Sequence, residues 1–134
     1  MPLFNMKLKS LGDKFFEATE EQEKTIDDFM AKYNIKSDLK GYKFFKTILI
    51  YTLNTYKITY YIEDINDLYV ICSKYLKTTP YNVRRQCEYT LTNYFRNHGN
   101  KSVSQTPKNF LYKAVHEIEF KEELDTNVYK RNKI

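Results

Sequence analysis

The sequence predicts an all-α fold, a compact bundle of about five or six helices that contains a helix-turn-helix. Three observations carry this. Only three Gly and three Pro interrupt 134 residues, which favours long regular elements over many turns. Apolar residues recur at i, i+3, i+4 and i+7 in stretch after stretch, the period of a helix with one buried face. Two Thr-Pro pairs, Thr79-Pro80 and Thr106-Pro107, have the form of a helix cap followed by a first-turn proline, where the missing N–H costs nothing.

The elements follow in order. Residues 1–16 have mixed character and are expected to form a flexible segment ahead of a helical domain spanning 17–121. The acidic run from Glu17 to Glu23 suits a helix first turn, where negative charge meets the positive end of the dipole. Ile26, Phe29, Met30 and Tyr33 then give the first helix its stripe, ending near Asn34. Asp38-Leu39-Lys40-Gly41 reads as a connector, and Phe45, Ile48, Leu49, Thr52 and Leu53 mark a second helix up to Asn54. Thr55 to Tyr61, rich in Tyr, Thr and Ile, has no strand to pair with and reads as an ordered connector or short helical turn. Ile65, Leu68, Ile71, Cys72, Tyr75 and Leu76 mark a third helix with Asp64 as its cap. The fourth starts from Thr79-Pro80 and carries Val83, Cys87, Thr90, Leu91 and Tyr94 inward as far as Phe95, stopping before Gly99. A polar, basic loop over 99–105 leads to the last helix, with Phe110, Leu111, Ala114, Val115 and Ile118 on its apolar face. Residues 122–134 lack periodicity and are expected to fray as a basic tail.

Charge is distributed unevenly. Residues 1–75 carry 11 Lys or Arg against 11 Asp or Glu, while 76–134 carry 11 against 6, so the whole net charge of +5 lies in the second half. A basic half suits a polyanionic partner. Two Cys without paired spacing and no signal-peptide pattern point to a reducing cytoplasm. No uncharged run approaches the roughly 18 residues that a membrane span needs.

The chemistry concentrates between Ile65 and Phe95. A tight helix pair wants a small residue midway along its first helix and a β-branched residue early in its second, and Ser73 and Val83 meet that demand. Cys72, Leu76, Val83 and Cys87 would form the wedge between them. With that stripe buried, Tyr81, Asn82, Arg84, Arg85, Glu88, Tyr89 and Thr92 face outward. Arg pairs with guanine, Asn with adenine, and Tyr packs on sugar or thymine methyl groups. Arg84, Arg85 and Asn82, with Tyr81 and Tyr89 beside them, are the candidate base contacts. Lys77, Thr79, Lys101 and Lys108 are the candidate phosphate contacts. The adjacent arginines need a reason, since positive charge early in a helix opposes its dipole.

The run from Leu68-Tyr69 through Lys74, with Thr78-Thr79, Val83 and Arg85, resembles the DNA-binding effector domain of the sporulation master response regulator of endospore-forming Firmicutes. Leu39-Lys40-Gly41-Tyr42 matches the start of that family's second helix, and Thr106-Pro107-Lys108-Asn109-Phe110 its entry to the last one. The resemblance spans about residues 26–120 and is collinear. It implies a winged-helix-like effector bundle, transcription regulation in sporulation, and double-stranded DNA as partner. It also brings in a second copy of the chain, RNA polymerase or the full-length regulator as further partners. The departures are specific. Where the family's recognition helix opens Ser-Arg-Val-Glu-Arg, this chain has Tyr81, Asn82, Val83, Arg84 and Arg85, and Glu88 replaces an Arg. The DNA target is therefore expected to differ. The link from Gly99 to Thr106 is shorter than the family's. No receiver-domain pattern accompanies the helices, so phosphorylation-driven activation is not expected within this chain.

Other chemistries find no support in the residues. His98 and His116 lack neighbours at metal-ligand spacing, no Gly-rich phosphate loop occurs, and no nucleophile stands beside a base with positional logic. No cofactor and no enzymatic activity are expected. Cys72 and Cys87 are expected to be buried free thiols. The 13 Tyr and 9 Phe fall mostly on apolar stripes; Tyr60, Tyr61, Tyr81 and Tyr89 are exceptions that would suit stacking on single-stranded nucleic acid. Besides DNA binding, a module that titrates or modulates a full-length sporulation regulator without touching DNA is the second function the sequence admits.

Overall fold

A computed structural model describes residues 14–98 and 106–132. Among them five α-helices and no strand occur: α1 (Glu20–Lys32), α2 (Lys40–Thr59), α3 (Ile65–Leu76), α4 (Pro80–His98) and α5 (Pro107–Asn132). The all-α expectation holds. None of these helices is long and apolar enough to cross a membrane. The expected basic loop over 99–105 lies outside the described residues, as do the side chains of Tyr94 and Phe95.

Local chemistry explains the starts. The Thr19 side chain caps α1 by accepting from the Gln22 N–H at 3.1 Å, ahead of Glu20, Glu21 and Glu23 in the first turn. Thr79 and Thr106 do the same for α4 and α5, accepting from Asn82 N at 3.1 Å and Asn109 N at 3.2 Å. Asp64 occupies the cap position of α3, but its side chain makes no capping hydrogen bond.

Four expected boundaries are revised. Lys40 and Gly41 open α2, as the family resemblance implies, instead of forming the connector that their local turn chemistry suggests. That helix also runs five residues past Asn54, to Thr59. Its β-branched residues are accommodated because Thr55 and Thr59 donate their hydroxyls to the carbonyls of Tyr51 and Thr55, both at 3.0 Å. The last helix continues to Asn132, beyond the start of the expected frayed tail at Glu122. At the other end, the expected flexible segment 1–16 gives way to packed structure at Phe15 and Phe16. Asn54 Nδ2 donates to the carbonyls of Phe15 (2.7 Å) and Glu17 (2.9 Å), and Phe16 stacks on Tyr75 with ring centroids 4.1 Å apart.

The core sits between α2 and the helices around it. Ile26, Met30, Phe45, Ile48, Leu49, Leu68, Val83, Cys87, Leu111 and Val115 are completely or almost completely buried. Phe110 of α5 meets Phe29 and Tyr33 of α1 and Phe45 of α2, with centroids 5.4–5.8 Å apart. Such aromatic pairs contribute beyond their buried area. Tyr33 also donates to Glu117, and Lys32 pairs with Glu117 at 3.3 Å, which fastens α1 to α5.

Between α1 and α2, Asp27 accepts from Tyr42 Oη at 2.5 Å and pairs with Lys46 at 3.0 Å. Burial works to raise the Asp27 carboxyl, but these two partners outweigh it and hold the group below its ordinary value of 3.8. A carboxyl depressed in the folded state contributes stability above its unfolded pKa and loses it as pH falls through the folded one. Melting temperature should therefore drop below about pH 4, and Asp27→Asn should flatten that acid limb when melting is followed against pH.

Candidate nucleic-acid interface

The functional candidates lie on α4 and its junction with α3. The helix α3 ends in a left-handed residue, Lys77 at φ 57°, with Thr78 N–H bonded to Ser73 O at 3.0 Å. This closes α3 and turns the chain into α4 over Lys77, Thr78 and Thr79. A lysine in that conformation is strained, because its Cβ crowds the carbonyl. Lys77→Gly is expected to stabilise the fold by about 1 kcal/mol, read as a raised urea midpoint.

The four residues expected to form a wedge between the two helices are all withdrawn from solvent to some degree. Cys72, Val83 and Cys87 are wholly buried, Leu76 is half-buried, and Ser73 is buried with its hydroxyl donating to Val70 O at 2.7 Å. Both cysteines are free; burial pushes the Cys72 thiol up to about 12 and the Cys87 thiol higher, so neither is a thiolate near neutral pH.

The back of α4 is set by Gly41. A methyl group at that position would overlap Thr90 Oγ1 and the backbone carbonyl of Gln86. Only glycine lets α2 approach α4 this closely. With Val83, Cys87, Thr90 and Leu91 facing inward, the helical period of 3.6 residues places Arg85, Tyr89, Thr92 and Arg96 along the outermost ridge, with Tyr81 at its start. All five are exposed, Tyr81 by 69% and Tyr89 by 60%.

The candidate base contacts divide along this geometry. Arg85, Tyr81 and Tyr89 stand free on the ridge, and Arg85 makes no ion pair among the described residues. Arg84 lies on the flank nearer α3, where its Nε donates to Glu88 Oε1 at 3.0 Å. Both partners are about half exposed, so the pair contributes only ~0.3–0.5 kcal/mol and opens readily. It also neutralises Glu88, the charge that departs most from the resembled family. Asn82 is half-buried, and its Nδ2 donates to Thr78 Oγ1 at 2.9 Å, so its amide serves the turn.

The phosphate candidates are more scattered. Lys77 is exposed at the turn, and Thr79, though exposed, accepts the Asn82 N–H through its hydroxyl. Lys108, in the first turn of α5, borders an open cleft of about 510 Å³ that also receives Tyr69, Arg84, Glu88 and Thr92. Lys101 lies outside the described residues. Arg96 is the residue that sequence reasoning missed; its signal is the spacing of 11 from Arg85, three helical turns on the same line.

Comparison with known proteins returns no matching family model, no matching curated protein and no matching solved structure.

Proposed function

We propose that this protein binds double-stranded DNA as a transcription regulator, with α3 and α4 acting as a helix-turn-helix and α4 entering the major groove. The observation that carries the reading is the outer ridge of α4. It presents two arginines without an ion pair among the described residues, Arg85 and Arg96, and two exposed tyrosines, on a helix held rigidly from behind by Val83, Cys87 and the Gly41 contact. Rigid support of a polar ridge is what groove reading requires. The collinear resemblance to the sporulation effector domain supports the same assignment, and the basic second half of the chain supplies the electrostatic attraction.

In this reading Arg85 reads a base and Lys108 a phosphate. Arg85→Ala should cost specific binding about 1–3 kcal/mol and relax the base preference at one position. Lys108→Ala should weaken all sequences alike and lower the salt slope by about 0.9. Site selection from random duplexes, followed by anisotropy titrations across salt, measures both. Equal affinity of wild type and Arg85→Ala for the selected site would refute the assignment, and tighter binding to single strands would place Tyr81 and Tyr89 in a stacking role instead.

The second reading, a module that modulates a full-length sporulation regulator without contacting DNA, is favoured by one observation. Arg84 is occupied by Glu88, which leaves fewer free cations at the amino-terminal end of α4 than the sequence suggests. It predicts no retention of any duplex at low salt.

A further inference from the structure

Away from α4, the junction of α2 and α3 has a different character. Residues 58–73 contain no Lys or Arg, although the chain has 22 of them in 134 residues, and they contain Glu63, Asp64 and Asp67. Large apolar groups are exposed in the same stretch: Ile58 by 67%, Tyr60 by 80%, Tyr61 by 63% and Val70 by 43%. Tyr61, Glu63, Asp67, Val70 and Ile71 line a cleft of about 430 Å³. Neither Glu63 nor Asp67 has a cationic partner among the described residues. Burial, and then the nearby Asp67, raise the Glu63 carboxyl above its ordinary value, as expected for an acidic pair with no counter-ion.

Tyr60 adds an independent sign. It ends α2 in the left-handed region at φ 55°, with its N–H bonded to Tyr56 O at 2.9 Å. Glycine or asparagine is the ordinary residue there. Here an aromatic residue holds a strained backbone position while its ring, 80% exposed, meets Tyr56 edge-on with centroids 6.2 Å apart. That contact buries little of the ring, and strain retained at so exposed an aromatic points to recognition.

We propose that the cleft formed by Tyr61, Glu63, Asp67, Val70 and Ile71, together with Tyr60, is a docking site for a basic peptide segment of a partner protein. An apolar or aromatic side chain of that segment seats between Tyr61, Val70 and Ile71, and flanking Lys or Arg side chains meet Glu63 and Asp67. Charge complementarity decides the class of partner: an acidic, cation-free rim on a basic protein repels nucleic acid and selects a cationic segment. On α3 the Asp67–Val70–Ile71 face lies about 140° around the helix from the side that meets α4. Peptide and DNA would therefore occupy separate faces, and peptide docking is independent of DNA binding.

Selection of phage-displayed random peptides against the immobilised full chain tests it, with winners resynthesised for anisotropy measurement. The enriched peptides should share an apolar or aromatic residue flanked by Lys or Arg. Val70→Asp and the double variant Glu63→Gln/Asp67→Asn should each weaken them about tenfold or more, with melting temperatures close to wild type. Tyr60→Gly should raise the melting temperature while lowering peptide affinity, a combination that a purely structural tyrosine would not give. Enrichment of acidic or patternless peptides, or unchanged affinity in both cleft variants, would overturn the proposal. So would a concentration-dependent dimer, seen in sedimentation, that Val70→Asp dissociates and the peptides leave intact, since the cleft would then belong to a second copy.

Discussion

Alanine at Gly41 is expected to destabilise the protein by about 2 kcal/mol or more. Two contributions oppose each other. Replacing glycine inside a helix gains up to about 1 kcal/mol in backbone propensity, and less in a first turn, where Gly41 sits. Against this, the new methyl would overlap both Thr90 Oγ1 and the Gln86 carbonyl oxygen, with the carbonyl carbon at 2.9 Å. The threonine is a buried side chain and could rotate. The carbonyl is backbone in the middle of α4 and cannot move without carrying the helix. Overlap with backbone therefore wins, and urea unfolding should show the loss. Thr90→Ala placed in the Gly41→Ala background should recover part of the stability and leave the share owed to Gln86. A complete recovery would mean that the Gln86 clash is relieved by a small shift of α2. Because α4 also carries the arginine ridge, Gly41→Ala should misplace that ridge even in the molecules that remain folded.

Gly41 also shows what the sequence could and could not convey. Read locally, Asp38-Leu39-Lys40-Gly41 has turn chemistry, yet the glycine is there for a contact with a helix some fifty residues away, between Gln86 and Thr90. Periodicity reports which face is buried and says nothing about how closely two faces approach. The caps at Thr79 and Thr106 are legible because capping is local and its residues adjoin. Helix α2 outruns its apparent end because threonine hydroxyls can satisfy themselves on the preceding turn, a choice that composition alone does not reveal. The candidate ridge is partly legible in the same way. Burial of Val83 and Cys87 fixes which side of α4 faces out, so spacing alone finds Arg85, Tyr81 and Tyr89. The engagement of Arg84 with Glu88 and of Asn82 with Thr78 depends on side-chain geometry, which spacing does not carry.

Reversing charge at both ends of the ridge should have the largest functional effect. Arg85 and Arg96 lie three turns apart, roughly 16 Å along α4 at 1.5 Å per residue, a span over which one helix can meet both base edges and phosphate along a groove. Removing an arginine that reads a base costs about 1–3 kcal/mol, and each glutamate put in its place adds repulsion from the phosphate backbone. Arg85→Glu with Arg96→Glu should therefore weaken duplex binding at least ~100-fold at low salt. Both side chains are exposed, and surface substitutions of this kind usually stay within about 0.5 kcal/mol, so the fold should melt as wild type does. That separation is what makes the result decisive. If duplex affinity survives the double reversal, α4 is not the groove-reading helix. If affinity disappears together with the melting transition, the ridge was supporting the fold. Loss of affinity alone, restored in part when Glu88→Gln frees Arg84 beside it, would place the recognition surface on the outer face of α4 and identify the Arg84–Glu88 pair as the element that tempers it.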